Sequence, residues 1–209
     1  MRNFAALLAF VVGMPIAVSS ENRSAYSIDT QKSKIEIQVA RDGFLKAFGH
    51  DHLVSARQFA GEVQLDSAKI EDSSVSFTVE TASLTVMDPG ESEKDCKEVQ
   101  TTMLGEQVLD ASRYPQIKFS SSKVKSVSSK NGIFELQVEG TLNLHGVAKP
   151  VTILVHVQTH EDATLAADAE VSLLQSDFGI TPIKVGGGTV RVRDKLKLTF
   201  HIVARKNGA

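Results

Sequence analysis

Gly49-His50-Asp51-His52 is the densest run of metal-ligating side chains in this chain. In an extended backbone His50 and His52 point to one side and Asp51 to the other. Two imidazoles on one face are the beginning of a transition-metal site, which needs a third or fourth ligand to hold its ion. The other histidines, His145, His156, His160 and His201, are distant in sequence, so further ligands must come from strands brought together by folding. Two readings compete with a metal. The segment is a polar turn whose imidazoles satisfy local backbone groups, or His50 and His52 meet the polar end of a bound molecule.

Other chemistry-bearing residues have plain structural roles available. Gly186-Gly187-Gly188 offers backbone N–H groups to a phosphate, yet it lacks the Lys-Ser/Thr of a P-loop and precedes a strand, so a flexible turn is expected. Cys96 is the sole cysteine, with no Cys–His pattern around it, and reads as a small side chain on a packed helix. Arg191, Arg193, Lys195 and Lys197 alternate with apolar residues, which makes a solvated outer face or a surface drawn to anionic lipid. Asp194 shares the parity of the apolar set, so a bulge must turn it outward or a partner must meet it inside. No nucleophile elbow, zinc-protease helix or Rossmann fingerprint occurs, and the chain is not expected to be an enzyme.

The elements that must position these residues are strands. Ile35, Ile37 and Val39 alternate with polar residues, as do Val75, Phe77 and Val79, Ile117 and Phe119, and Phe134, Leu136 and Val138. The same period runs through Val151, Ile153, Val155 and Val157, then Leu165, Ala167, Ala169 and Val171, and finally Leu196, Leu198, Phe200 and Ile202. Period two places each apolar set on one sheet face. Residues 53–66 read as one strand bent at Gly61, and residues 74–84 as another. Asn131-Gly132 is a hairpin turn, and His145-Gly146 lies in a connection ending at Lys149-Pro150. One segment is helical: Asp88 as N-cap, Pro89 in the first turn, Glu91 in a capping box, Gly105 as the stop. Cys96, Val99 and Met103 fall on one face of it.

These segments amount to about eight strands with short connections, hence antiparallel. A one-sided apolar sheet must close or be covered, and closure removes its edges. The expected fold is all-β: an eight-stranded antiparallel barrel with one amphipathic helix, in a single domain over residues 25–206. Eight strands enclose an interior that side chains fill or that holds one slender ligand. On parity, its inward residues include Ile37, Val39, Phe77, Val79, Phe119, Leu136, Val138, Val155, Leu198 and Phe200, with His50 and His52 at its mouth. A sandwich with a filled core is the alternative.

At 209 residues and 42% hydrophobic composition, the chain can bury a core without disulfides. A net charge of -2 gives no argument for nucleic acid as a partner. Residues 1–20, MRNFAALLAFVVGMPIAVSS, combine Arg2, a short apolar run and small residues at Ala17 and Ser19. They read as a cleaved signal peptide, which marks the mature chain for export.

Five pieces in order carry a resemblance: YSIDTQKSKIEIQVAR, FAGEVQLD, the helix followed by LGEQVLDASRYPQIKFSS, EGTLNLHGVAKPVTILV, and DFGI ahead of a Gly-rich turn and final strand. Together they make the chain resemble the YceI family, lipocalin-like proteins of bacterial envelopes. The resemblance implies an extended eight-strand barrel, an apolar tunnel, binding of long polyisoprenoid lipids, and export to the periplasm. The AFGHDHLVSAR segment departs from the family's usual small and polar turn. The expected partner is therefore an isoprenoid lipid, a quinone or polyprenyl carrier, which is stored, transported or shielded. No other cofactor is expected; transient contact with a membrane surface and a homodimer complete the expectations. A metal-binding envelope protein using His50-Asp51-His52 is the alternative, and a stress-related interaction module with a filled core is a third reading.

Overall fold

A computed structural model describes residues 22–42, 51–160, 162–185, 187 and 190–208. The leader reading of residues 1–20, His50, and Gly186 and Gly188 of the glycine run lie outside these described residues.

The alternating segments form strands that close on themselves. The first barrel strand is β1 (Arg23–Ile28) continued by β2 (Lys34–Asp42), the second is β3 (His52–Ala56) continued by β4 (Phe59–Asp66), and the third is β5 (Ser74–Glu80) continued by β6 (Leu84–Val86). Then come β7 (Gln116–Lys130), β8 (Ile133–Leu144), β9 (Val147–Thr159), β10 (Thr164–Leu174), a short β11 (Lys184–Val185) and β12 (Val190–Lys206). All pairings are antiparallel, and β12 pairs with β10 on one side and with β1 and β2 on the other. The ring β1-β4-β5-β7-β8-β9-β10-β12 is closed by the β1–β12 pairing. The result is an up-and-down barrel of eight strands, in which each strand neighbours its predecessor in the chain.

Three of the strands are broken in mid-course, and side-chain hydrogen bonds explain where. Asp29 ends β1: its carboxylate accepts from Gln31 N–H at 3.1 Å and its carbonyl from Ser33 N–H at 3.0 Å. The second strand bends at Arg57-Gln58, where the Ser83 hydroxyl accepts from Gln58 N–H at 3.0 Å and donates to Glu80 O at 2.7 Å. That interaction kinks the second and third strands at the same level. The bend expected at Gly61 is thus three to four residues earlier. Gly61 is instead a close-approach position, since a Cβ there would lie 2.6 Å from Ile28 Cδ1 and 2.7 Å from Ser76 O. The third strand stops at Glu80, where residues 81–83 form a 3-10 turn before β6.

Two-residue turns join the later strands, with both residues at positive φ: Asn131 (51°) and Gly132 (76°), then His145 (52°) and Gly146 (74°). This geometry matches the twist of the strands it connects. Lys149 and Pro150 belong inside β9, pairing with Leu142 and Thr141, rather than in the connection. Proline is tolerated there because that half of β9 is paired only on its β8 side.

Helix α1 (Glu93–Leu104) starts four residues later than the Asp88 cap implies. Ser92 caps it, accepting from Asp95 N–H at 3.1 Å and donating to the Asp95 carboxylate at 2.7 Å. Asp88 is occupied elsewhere, holding β3. Gly105 stops the helix as expected. On its inner side Gln100 accepts from Val86 N–H at 2.8 Å and donates to Leu84 O at 2.7 Å. One amide side chain thereby satisfies the free edge of β6 and fastens the helix across one end of the barrel.

Candidate functional site

The barrel is hollow. Its apolar cavity has a volume of about 660 Å³, inside the range of sites that enclose small molecules. Along β12 the lining runs from Arg191 to Ile202, roughly 35 Å of strand at about 3.3 Å per residue. At an ordinary barrel tilt this is roughly 25–30 Å of axis. The space is long and narrow, the shape of a chain rather than of a ring system.

All ten inward residues expected from parity line it: Ile37 and Val39 from β2, Phe77 and Val79 from β5, Phe119 from β7, Leu136 and Val138 from β8, Val155 from β9, and Leu198 and Phe200 from β12. Most of them are only half-buried, because the surface they keep is the wall of the void. Two buried clusters bracket it. One, around Ile35, Val54, Leu84 and Phe178, lies toward the helix; the other, around Tyr26, Leu65, Val124 and Leu165, lies toward the far end. Ile28 packs against both. Among the described residues no buried side-chain nitrogen or oxygen lacks a hydrogen-bond partner. Nothing in the wall therefore demands a polar ligand.

The helix end is different. There the lining includes Arg41, His52, Asp95, Glu98, Thr102 and Arg191. They come from the end of β2, the start of β3, α1 and the start of β12, and they make a charged rim around an apolar shaft. Of these, sequence reasoning singled out His52 for the mouth. The helix residues were hidden because the apolar face at Val99 and Met103 was the visible signal, and both of these also line the cavity. Alternation puts Arg191 on the outer face with Arg193, Lys195 and Lys197, but it lines the cavity because, like Arg41, it sits at a strand end where the barrel opens.

His52 is already engaged. Its Nδ1 lies 2.6 Å from Asp88 Oδ2, and Asp88 Oδ1 accepts from Leu53 N–H at 2.8 Å. The Asp88 side chain is only 6% exposed, so this is a buried anchor that fixes the imidazole at the rim. Asp51 accepts from Arg41 N–H at 3.0 Å. Among the described residues no group of three or more His, Cys, Asp or Glu side chains converges as a metal would require.

Asp194 is turned out of the cavity by an irregularity in the β12–β2 register between Val192 and Leu196. Its carboxylate accepts from the Ser176 hydroxyl at 2.6 Å and from Ser176 N–H at 2.8 Å. Those two bonds hold its pKa below the ordinary carboxylate value. The outer face of β12 carries Arg193 and Lys195, both exposed, and Lys197, which pairs with Glu170 at 2.8 Å. Cys96 is half-buried on α1, its Sγ 3.9 Å from Asp88 O.

Known proteins share this architecture. The UPF0312 protein of Vibrio campbellii is 34% identical over 152 residues, 72% of this chain and 70% of that protein. A UPF0312 protein of Pseudomonas putida strain W619 is 33% identical over 154 residues, covering 72% and 70%. Among solved structures, BcnA of Burkholderia cenocepacia superposes with a TM-score of 0.67 at 26% identity, over 84% of this chain and 98% of that one. A polyisoprenoid binding domain from Saccharophagus degradans, implicated in plant cell wall breakdown, gives a TM-score of 0.61 over 88% and 99% of the two chains. At 12% identity that second likeness shows the fold alone. A family model for the YceI-like domain matches residues 26–204, nearly the whole barrel, and this chain belongs to that family.

Proposed function

We propose that this protein binds one long isoprenoid lipid, a quinone or polyprenyl carrier, and serves as its store or transporter in the periplasm. The observation that carries the reading is the narrow 660 Å³ hollow walled by apolar side chains. A hydrocarbon chain there is held by removal of its surface from water, at roughly 25 cal/mol per Å². Several hundred Å² of chain gives on the order of 10 kcal/mol before the costs of association. The charged rim beside α1 is the place for the lipid's polar end, with His52 pre-set by Asp88. The polyisoprenoid binding described for the Saccharophagus degradans domain of the same fold is consistent with this choice of lipid. Periplasmic residence rests on the leader character of residues 1–20.

Organic extraction of protein purified from its native envelope, followed by mass spectrometry, tests the reading. An isoprenoid recovered in near-stoichiometric amount is the expected result. Protein that yields no lipid, and takes up no polyprenol in vitro, overturns it.

A further inference from the structure

β9 and β10 separate halfway along the barrel. Their ladder runs from Thr159–Leu165 to Val155–Ala169 and stops. Each keeps its other neighbour beyond that point: β9 pairs with β8 as far as Val147, and β10 pairs with β12 as far as Leu174. Among the described residues no strand pairing joins 147–154 to 170–174. A closed barrel pairs every strand on both sides, so this is a seam. The cavity reaches it, because Val151, Ile153, Val171 and Leu173 line the hollow.

Side chains close the seam where hydrogen bonds do not. The chain leaving β10 turns through residues 175–180 toward the start of β9. Phe178 and Ile180 are 2% and 3% exposed and pack into the core. Gly179, at φ 74°, makes the reversal. Among the described residues the polar anchors of this plug are the Ser176 N–H and hydroxyl, both donated to the Asp194 carboxylate, Gln175 Nε2 to Arg193 O at 2.9 Å, and His145 Nδ1 at 3.2 Å from Phe178 O. Packing of Phe178 and Ile180 into the core holds the segment together with these bonds, so opening the seam costs the burial of two side chains but breaks no strand ladder.

The outside of the seam is apolar and basic. Leu154, on one lip, is 45% exposed, and Leu174, on the other, is 41% exposed. Lys195 stands in register with Leu174, and Arg193 and Lys197 continue the stripe. Glu170, on the same lip, is neutralised by Lys197; Asp177, on the plug, is exposed. Apolar side chains flanked by cations suit an anionic lipid surface. The charged rim at the helix end, by contrast, opposes end-on threading of a hydrocarbon.

We propose that the β9–β10 seam is a side passage: the barrel rests on an anionic lipid surface at Leu154 and Leu174, the Phe178 plug swings out, and the lipid chain slides in laterally. This rests on the lipid-binding reading above. The test uses a Cys96→Ser background carrying Ser176→Cys and Asp194→Cys, a thiol pair placed where hydroxyl and carboxylate already touch. Transfer of an NBD-labelled polyprenol is followed from vesicles of phosphatidylcholine and phosphatidylglycerol in equal parts, with the pair oxidised and then reduced. The expected result is transfer at least tenfold slower when oxidised, restored on reduction, with the same final loading. Leu154→Ser with Leu174→Ser, outside the cavity, is expected to slow transfer several-fold at unchanged loading. Equal rates with the plug locked and unlocked overturn the passage, and an unchanged rate in the serine variant overturns the docking face. If the wild-type chain takes up no polyprenol at all, the lipid-binding reading fails as well; uptake indifferent to the lock sinks this inference alone.

Discussion

Single residues set the width of the hollow and its tolerance of acid. Gly140 of β8 faces Ser121 of β7, and a Cβ there would fall 2.5 Å from both Phe119 Cζ and Ser120 O. The backbone oxygen cannot retreat far, so the Phe119 ring must give way into the cavity it lines. Gly140→Ala is expected to cost about 1–3 kcal/mol, as overpacking does, and to reduce lipid capacity; urea unfolding and a loading assay measure the two effects. Charge acts at Asp29, Asp66 and Asp194. Arg205 beside Asp29, the Lys69 N–H on Asp66, and the Ser176 hydroxyl on Asp194 each hold a carboxyl below its ordinary value. A depressed carboxylate contributes stability that is present above its unfolded pKa, about 4, and is lost as pH falls through its folded value. Denaturant midpoints are therefore expected to be flat between pH 5 and 7 in this respect and to fall below about pH 4. Asp194→Asn should show a shallower fall than the wild type, and an equally steep one would remove Asp194 from the explanation.

Among the elements, α1 carries little apolar surface and depends on two polar devices. The Ser92 cap satisfies its first turn, and Ser92→Ala is expected to cost about 1 kcal/mol. Gln100 does more, since it stands in for a missing strand beside β6. Gln100→Leu leaves a donor and an acceptor of β6 unpaired, at about 1–3 kcal/mol, and should raise hydrogen exchange at Val86 ahead of the rest of the barrel. If Val86 exchange stays as slow as in the wild type, the helix is not what guards that edge. The same element shows what sequence reasoning could reach. Strand alternation and turn residues made the barrel and its inward faces legible, because period two reports burial directly. The helix start was misplaced because Asp88 and Ser92 both satisfy cap chemistry, and the choice is made by β3, which claims Asp88 through His52 and Leu53. The break at Ser83 was invisible for a similar reason: it is settled by Gln58, a partner far away in sequence. The rim residues Asp95, Glu98 and Arg191 became a group only when the barrel closed.

For the whole molecule, a hollow barrel implies that empty space is a functional component and that filling it separates folding from binding. Ala167 and Ala169 of β10 line the cavity, opposite Ile202 and Phe200 in the β12 register, and small side chains at these two places keep the shaft open. Ala169→Phe adds an apolar ring into existing space rather than into packed atoms, so it is expected to leave the fold intact and its unfolding midpoint unchanged or higher. Binding should behave in the opposite way. In the wild type, polyprenol at a hundred times its dissociation constant is expected to stabilise the fold by about 2.7 kcal/mol through mass action on the native state. In Ala169→Phe that ligand-dependent shift should vanish while the lipid-free stability persists. Calorimetry of both proteins with and without polyprenol makes the comparison. A filled variant that unfolds on its own would mean the hollow was packed after all, and one that keeps the full lipid-induced shift would mean that the chain binds elsewhere.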